Sequence, residues 1–127
     1  MRYLPKETDK ENIEPVAVGN YQGEFFEADS VPYFTIYTVG RHGPNEKVLF
    51  NLTTILVSKA SDTRFYVLDG PTRYEFLIEE KKRGRWLYVY RYYFRQFRIR
   101  ICSGFITSAA QSIIQNKFAK CRQGLAA

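Results

Sequence analysis

Histidine occurs once, at His42, cysteine twice, at Cys102 and Cys121, and methionine and tryptophan once each. A structural zinc site needs about four Cys, His or acidic ligands, and the two cysteines lack a CxxC spacing. No metal and no cofactor is therefore expected. Nucleophilic catalysis needs a histidine beside its nucleophile, and His42 sits alone in a Gly/Pro loop. Neither GxxxxGK[ST] nor GxGxxG occurs, so no phosphate-cradling loop is expected. The longest apolar run, Val48 to Val57, is interrupted by Asn51, Thr53 and Thr54 and falls short of the roughly 20 residues of a membrane span. The start, Met1 to Glu7, lacks the apolar core of a signal peptide. A cytoplasmic protein with free thiols is the resulting expectation. On that basis the sequon at Asn51 is fortuitous.

Acid is the scarcest commodity in the second half. Residues 1–80 hold 8 Lys/Arg and 13 Asp/Glu, whereas residues 81–127 hold 11 Lys/Arg and no acid. The net charge of +6 therefore conceals a segregated chain. Such asymmetry implies an anionic partner, or pairing between the halves.

The 127 residues suggest one domain, and 45% apolar content suffices for a core. Residues 1–20 read as a polar N-terminal arm punctuated by Pro5 and Pro15, and residues 21–127 as a single globular domain. Tyr21–Ala28, Val31–Val39, Lys47–Ser58 and Thr63–Leu68 read as strands, with loops at 40–45 and 59–62 and a turn at Asp69-Gly70-Pro71. The fold expected is mainly β with a C-terminal α-helix: an antiparallel meander of about six or seven strands forming a curved sheet, open barrel or sandwich. Strands run to about 102, and the helix covers about 104–123. Ile106, Ala109, Ala110, Ile113, Ile114, Lys117 and Phe118 form its stripe. An α+β alternative makes residues 91–101 helical, because Arg91, Arg95 and Arg98 also repeat at i, i+4, i+7.

The hairpin from Thr72 to about Phe94 carries the functional expectation. A three-residue loop Lys82-Arg83-Gly84 sets Leu77 opposite Val89 and Glu75 opposite Arg91. Tyr74, Phe76 and Ile78 then share a dry core face with Trp86, Tyr88, Tyr90 and Tyr92. The other face carries Arg73, Glu75, Glu79, Arg91, Tyr93 and Arg95. A β-bulge near Arg95-Gln96 brings Arg98 and Arg100 onto that same outer face.

Residues 81–100 contain eight basic residues, six of them arginine, interleaved with aromatics. Guanidinium groups bind phosphate and carboxylate bidentately and stack on rings. Arg91, Tyr93, Arg95, Arg98 and Arg100, with Arg83 and Arg85, are the candidate binding residues. With most rings pointing inward, only Tyr93 and Trp86 are left to meet a base. The function expected first is thus a non-enzymatic module for protein–protein interaction or homo-oligomerisation, meeting an acidic protein surface or the acidic arm (Glu7, Asp9, Glu11, Glu14) of another copy. Alternatives are a nucleic-acid-binding protein contacting phosphates through the same face, anionic lipid head groups as its partner, and a small-ligand-binding barrel. Asp69, Glu79 and Lys81 trace the outline of a metal-dependent nuclease. That reading is set aside, because turn chemistry explains Asp69 and charge pairing explains Glu79.

Overall fold

A computed structural model describes residues 9–124. Among these residues ten strands form two sheets that do not close into a barrel, accompanied by one helix. The first sheet takes β1 (Glu11–Pro15), β2 (Gln22–Ala28), β3 (Val31–Gly40) and β4 (Gly43–Asn51) in chain order, all antiparallel. The second runs through β5 (Leu56–Ser61), β6 (Arg64–Asp69), β7 (Thr72–Lys81), β8 (Gly84–Tyr93) and β9 (Phe97–Ile106). After α1 (Ser108–Ala119), the two-residue β10 (Arg122–Gln123) pairs parallel to β5 on its free side. The mainly β fold with a C-terminal helix is as expected, and residues 91–101 are strand and turn, not helix.

Three boundaries differ from the sequence reading. The apolar stretch 47–58 is two strands, because Asn51 turns the chain. Its Oδ1 accepts from the Thr53 amide at 2.9 Å and from the Thr53 hydroxyl at 2.6 Å. This local competition with the ladder carries the chain from one sheet to the other. The helix is shorter than 104–123. Thr107 caps it, with Oγ1 accepting from the Ala110 amide at 3.0 Å, and Ile106 belongs to β9. The described part of the polar arm is built into the fold. β1 pairs with β2, Val16 and Val18 are buried, and the Lys10 ammonium is buried against the Glu24 carboxylate. Glu7 lies outside the described residues.

The core lies between the inner faces of the two sheets, and α1 closes it. Ala110, Ile114 and Phe118 are the helix's buried residues. The Phe118 ring meets Phe25, Phe34, Phe65 and Phe76 edge-to-face, with centroids 5.3 to 6.2 Å apart. That geometry suits the ring quadrupole and adds to the area buried. Beside this knot the sheets touch at a seam, where the Gly19 amide donates to the Phe105 carbonyl at 2.8 Å. With helix and phenylalanines on its inner side, the six-stranded sheet turns its other face outward.

Candidate functional site: the outer face of the second sheet

The register of the β7–β8 hairpin decides what that face carries. Lys81 pairs with Gly84, so the turn is the two residues Lys82 and Arg83, and Gly84 (φ 131°) opens β8. Leu77 consequently faces Tyr88, not Val89, and Glu75 faces Tyr90, not Arg91. A shift of one residue inverts every side chain of a strand. Leu87 and Val89 are the buried residues of β8, while Trp86, Tyr88, Tyr90 and Tyr92 line the outer face, half-buried among their neighbours. The expected dry aromatic underside is thus corrected: those rings stand on the wet side.

The expected arginine stripe is corrected with it. The chain does not run on past Arg95 through a bulge; it reverses at Phe94-Arg95-Gln96. The irregularity lies further back, between Val89 and Tyr90, where Ile101 is the extra residue of β9. Arg98 and Arg100 pair with Tyr92 and Tyr90 and join the outer face. Arg91 pairs with the buried Tyr74 and so points to the opposite side, its guanidinium 5.3 Å from the Tyr93 ring. Arg95 sits in the β8–β9 turn and Arg83 in the β7–β8 turn. Arg85 pairs with Glu80 at 3.1 Å. Of the four arginines expected together, two share the face.

Other cations take their place. Arg73 lies between the rings of Tyr66 and Tyr92, 4.4 and 4.6 Å from their centroids. Arg98 stacks over Tyr90 at 4.0 Å, and Tyr90 lies nearly parallel to Tyr88 (interplanar angle 18°). Lys81 sits 5.3 Å from the Tyr88 ring centroid, and side-chain hydrogen bonding with Tyr88 raises its pKa. At the heart of the face is Glu75, 1% exposed. Its carboxylate takes the Arg98 guanidinium, the Tyr92 hydroxyl at 2.9 Å and, as an ion pair, Arg64 Nε at 3.1 Å. Glu75 raises the Arg98 pKa through that hydrogen bond. Burial, then the bond to Glu75, raises that of Tyr92. The buried carboxylate fixes the tilt of the cations around it, while Arg100 and Lys81 remain at the surface.

Two hollows continue the face. A recess of about 400 Å³ opens between Lys81, Lys82, Arg83, Trp86 and Tyr88 at one end. A groove of about 260 Å³ passes Leu56, Tyr66, Leu68 and Arg73 at the other. The interior is filled by the phenylalanine knot, so the barrel that a small ligand would occupy is not formed.

Sequence reasoning places Arg73, Glu75 and Glu79 on the outer face, as found, but misses Arg64, Tyr66 and the outward tyrosines and gives Arg73 no binding role. The signal was within reach. On β6 and β8 the aliphatic and phenylalanine positions (Phe65, Val67; Leu87, Val89) alternate with tyrosine and tryptophan, whose polar atoms favour the wet side.

Asp69 ends β6 opposite Thr72, and Glu79 lies near the far end of β7, roughly 20 Å away by strand rise. No group of three metal-ligating side chains occurs among the described residues. His42 is exposed in the β3–β4 turn. Among the described residues no helix is long and apolar enough to cross a membrane. Comparison with family models, with curated proteins and with solved structures returns no match.

Proposed function

We propose that the chain is a non-enzymatic binding module that takes single-stranded nucleic acid on the outer face of its six-stranded sheet. The observation that carries this reading is the shared face itself: Trp86, Tyr88, Tyr90, Tyr92 and Tyr66 interleave with Arg64, Arg73, Lys81, Arg98 and Arg100. Unstacked bases lie on aromatic rings and guanidinium planes, and phosphates bind the cations between them. A sheet offers both at cross-strand spacings, and five cations against Glu75 and Glu79 keep the face positive. A protein partner suits a face whose rings are buried. Their outward placement moves nucleic acid ahead.

The experiment is fluorescence anisotropy with labelled oligothymidine, oligouridine and duplex DNA across a salt series. Single strands bind more tightly than duplex. Log Kd varies with log salt by about 0.7 per phosphate contacted, so two to four contacts give a slope of roughly 1.5 to 3. Absence of single-strand binding at low salt overturns the reading.

An acidic protein surface is the second reading. It is favoured by Arg73, whose ring contacts on both sides leave guanidinium edges free for carboxylates. Self-association through the acidic arm loses support, because Glu14 is 3.7 Å from Lys117 of its own chain and β1 is already a paired strand.

A further inference from the structure

The β8–β9 turn begins with an unusual residue. Phe94 adopts φ 57°, a left-handed conformation that suits glycine, and its side chain is 95% exposed. Phenylalanine is thus placed where both backbone and solvent disfavour it. Around it stand Phe97 at 59% exposure, Ile99 at 45% and Tyr93 at 38%. Tyr93 pairs with Phe97 and Arg91 with Ile99, so these side chains occupy the far end of one hairpin. They lie on its turn and on the side away from the tyrosine face. Arg91 shares their side and Arg95 sits in the turn itself, and no Asp or Glu occurs anywhere in residues 81–127.

We propose that this hairpin tip inserts into the interfacial layer of an anionic lipid bilayer. Phe94, Phe97 and Ile99 enter below the head groups, Tyr93 sits at their level, and Arg91 and Arg95 contact lipid phosphates. The two signals that together give stable membrane attachment, apolar insertion and basic charge, meet at one place. Charge opposes a symmetric tip-to-tip pair of copies, since the same tip approaching itself sets arginines against arginines. Chemistry disfavours a nucleic acid here, since Ile99 offers no π-face and the cation-flanked rings of Tyr88, Tyr90 and Tyr92 lie on the other side of the hairpin. The inference is independent of the outer-face reading.

The test is co-sedimentation and intrinsic fluorescence with phosphatidylcholine–phosphatidylserine vesicles, against vesicles of phosphatidylcholine alone. Wild-type protein binds the anionic vesicles and barely binds the neutral ones. Phe94→Gly relieves the left-handed backbone, so its thermal midpoint equals or exceeds wild type while its vesicle affinity falls about tenfold. Arg95→Gln lowers affinity about fivefold. In a Trp86→Phe background, Phe97→Trp reports on the tip directly: its emission shifts to the blue with anionic vesicles and is quenched by brominated acyl chains. Tyr90→Ala on the outer face leaves vesicle binding unchanged. Unchanged affinity of Phe94→Gly, or an unshifted Phe97→Trp spectrum, overturns the proposal. So does a tip variant that loses oligonucleotide but not vesicle binding.

Discussion

Arg98 donates to the carboxylate of Glu75, reaching from the edge strand β9 across β8 to β7. The Glu75 side chain is buried while that of Arg98 is 39% exposed, so the pair ties a surface cation to an interior anchor. Losing a hydrogen-bonded charge at such a position costs about 1–3 kcal/mol. Glu75→Gln is therefore expected to lower stability by that amount in chemical denaturation. It also raises the net charge of the face by one, so oligonucleotide affinity at low salt increases. A variant that is destabilised yet binds no better contradicts the view that Glu75 restrains the cations.

Phe118 is the point where α1 joins both sheets. Phe118→Ala removes a side chain that meets four other phenylalanines, and such truncations cost about 3–5 kcal/mol. Much of a small domain's stability is of that order. Thermal unfolding of the variant is expected to begin far below wild type. A shift of only a degree or two would show that the helix is peripheral.

Gly104 tests the seam between the sheets. A Cβ built there comes within 2.6 Å of the Gly19 nitrogen and the Val18 carbonyl carbon, both backbone atoms. Gly104→Ala must push the segment after β1 away from β9. Amide exchange at Gly19, whose N–H bonds to Phe105, is expected to accelerate. Unchanged exchange would mean that the seam is loose.

Desolvation pushes the Cys102 thiol up to about 12 from an ordinary 9.0, and Cys121 shifts in the same direction for the same reason. Between these values the folded state keeps a proton that the unfolded chain has lost. Stability is thus intact below about pH 9 and falls as pH rises through the folded pKa, by up to about 1.4 kcal/mol per pH unit for each thiol. Tyr92, also raised, adds a slope of the same sign. Urea unfolding at several alkaline pH values is expected to show a shallower decline for Cys102→Ala than for wild type. Equal slopes would place the thiol in contact with water.

Much of the fold is legible in the sequence. Strand alternation, the turn at Asp69-Gly70-Pro71 and the stripe from Ala110 to Phe118 are local signals, and each corresponds to an element. The candidate site was less legible, because one residue in a turn decides it. Lys82-Arg83-Gly84 accommodates a two- or a three-residue loop, and Trp86, Tyr88, Tyr90 and Tyr92 are apolar enough to sort with the core under the longer one. What decides the register is the aliphatic pair Leu87 and Val89, which fills space against the other sheet. That is a tertiary requirement, and it overrides the hairpin's own preference. The reversal at Phe94-Arg95-Gln96 was hidden for a related reason. With Phe94 in the left-handed position normally held by glycine, the turn lacks its usual marker.

The central claim is that the tyrosine and tryptophan rings of β8 face outward and receive bases. Trp86 is the only tryptophan in the chain, so its emission reports on that face alone. The measurement is Trp86 fluorescence titrated with oligothymidine at low and high salt. The account predicts saturable quenching that is lost at high salt and weakens about tenfold in Tyr90→Ala. Emission unaffected by saturating oligonucleotide at low salt would contradict it.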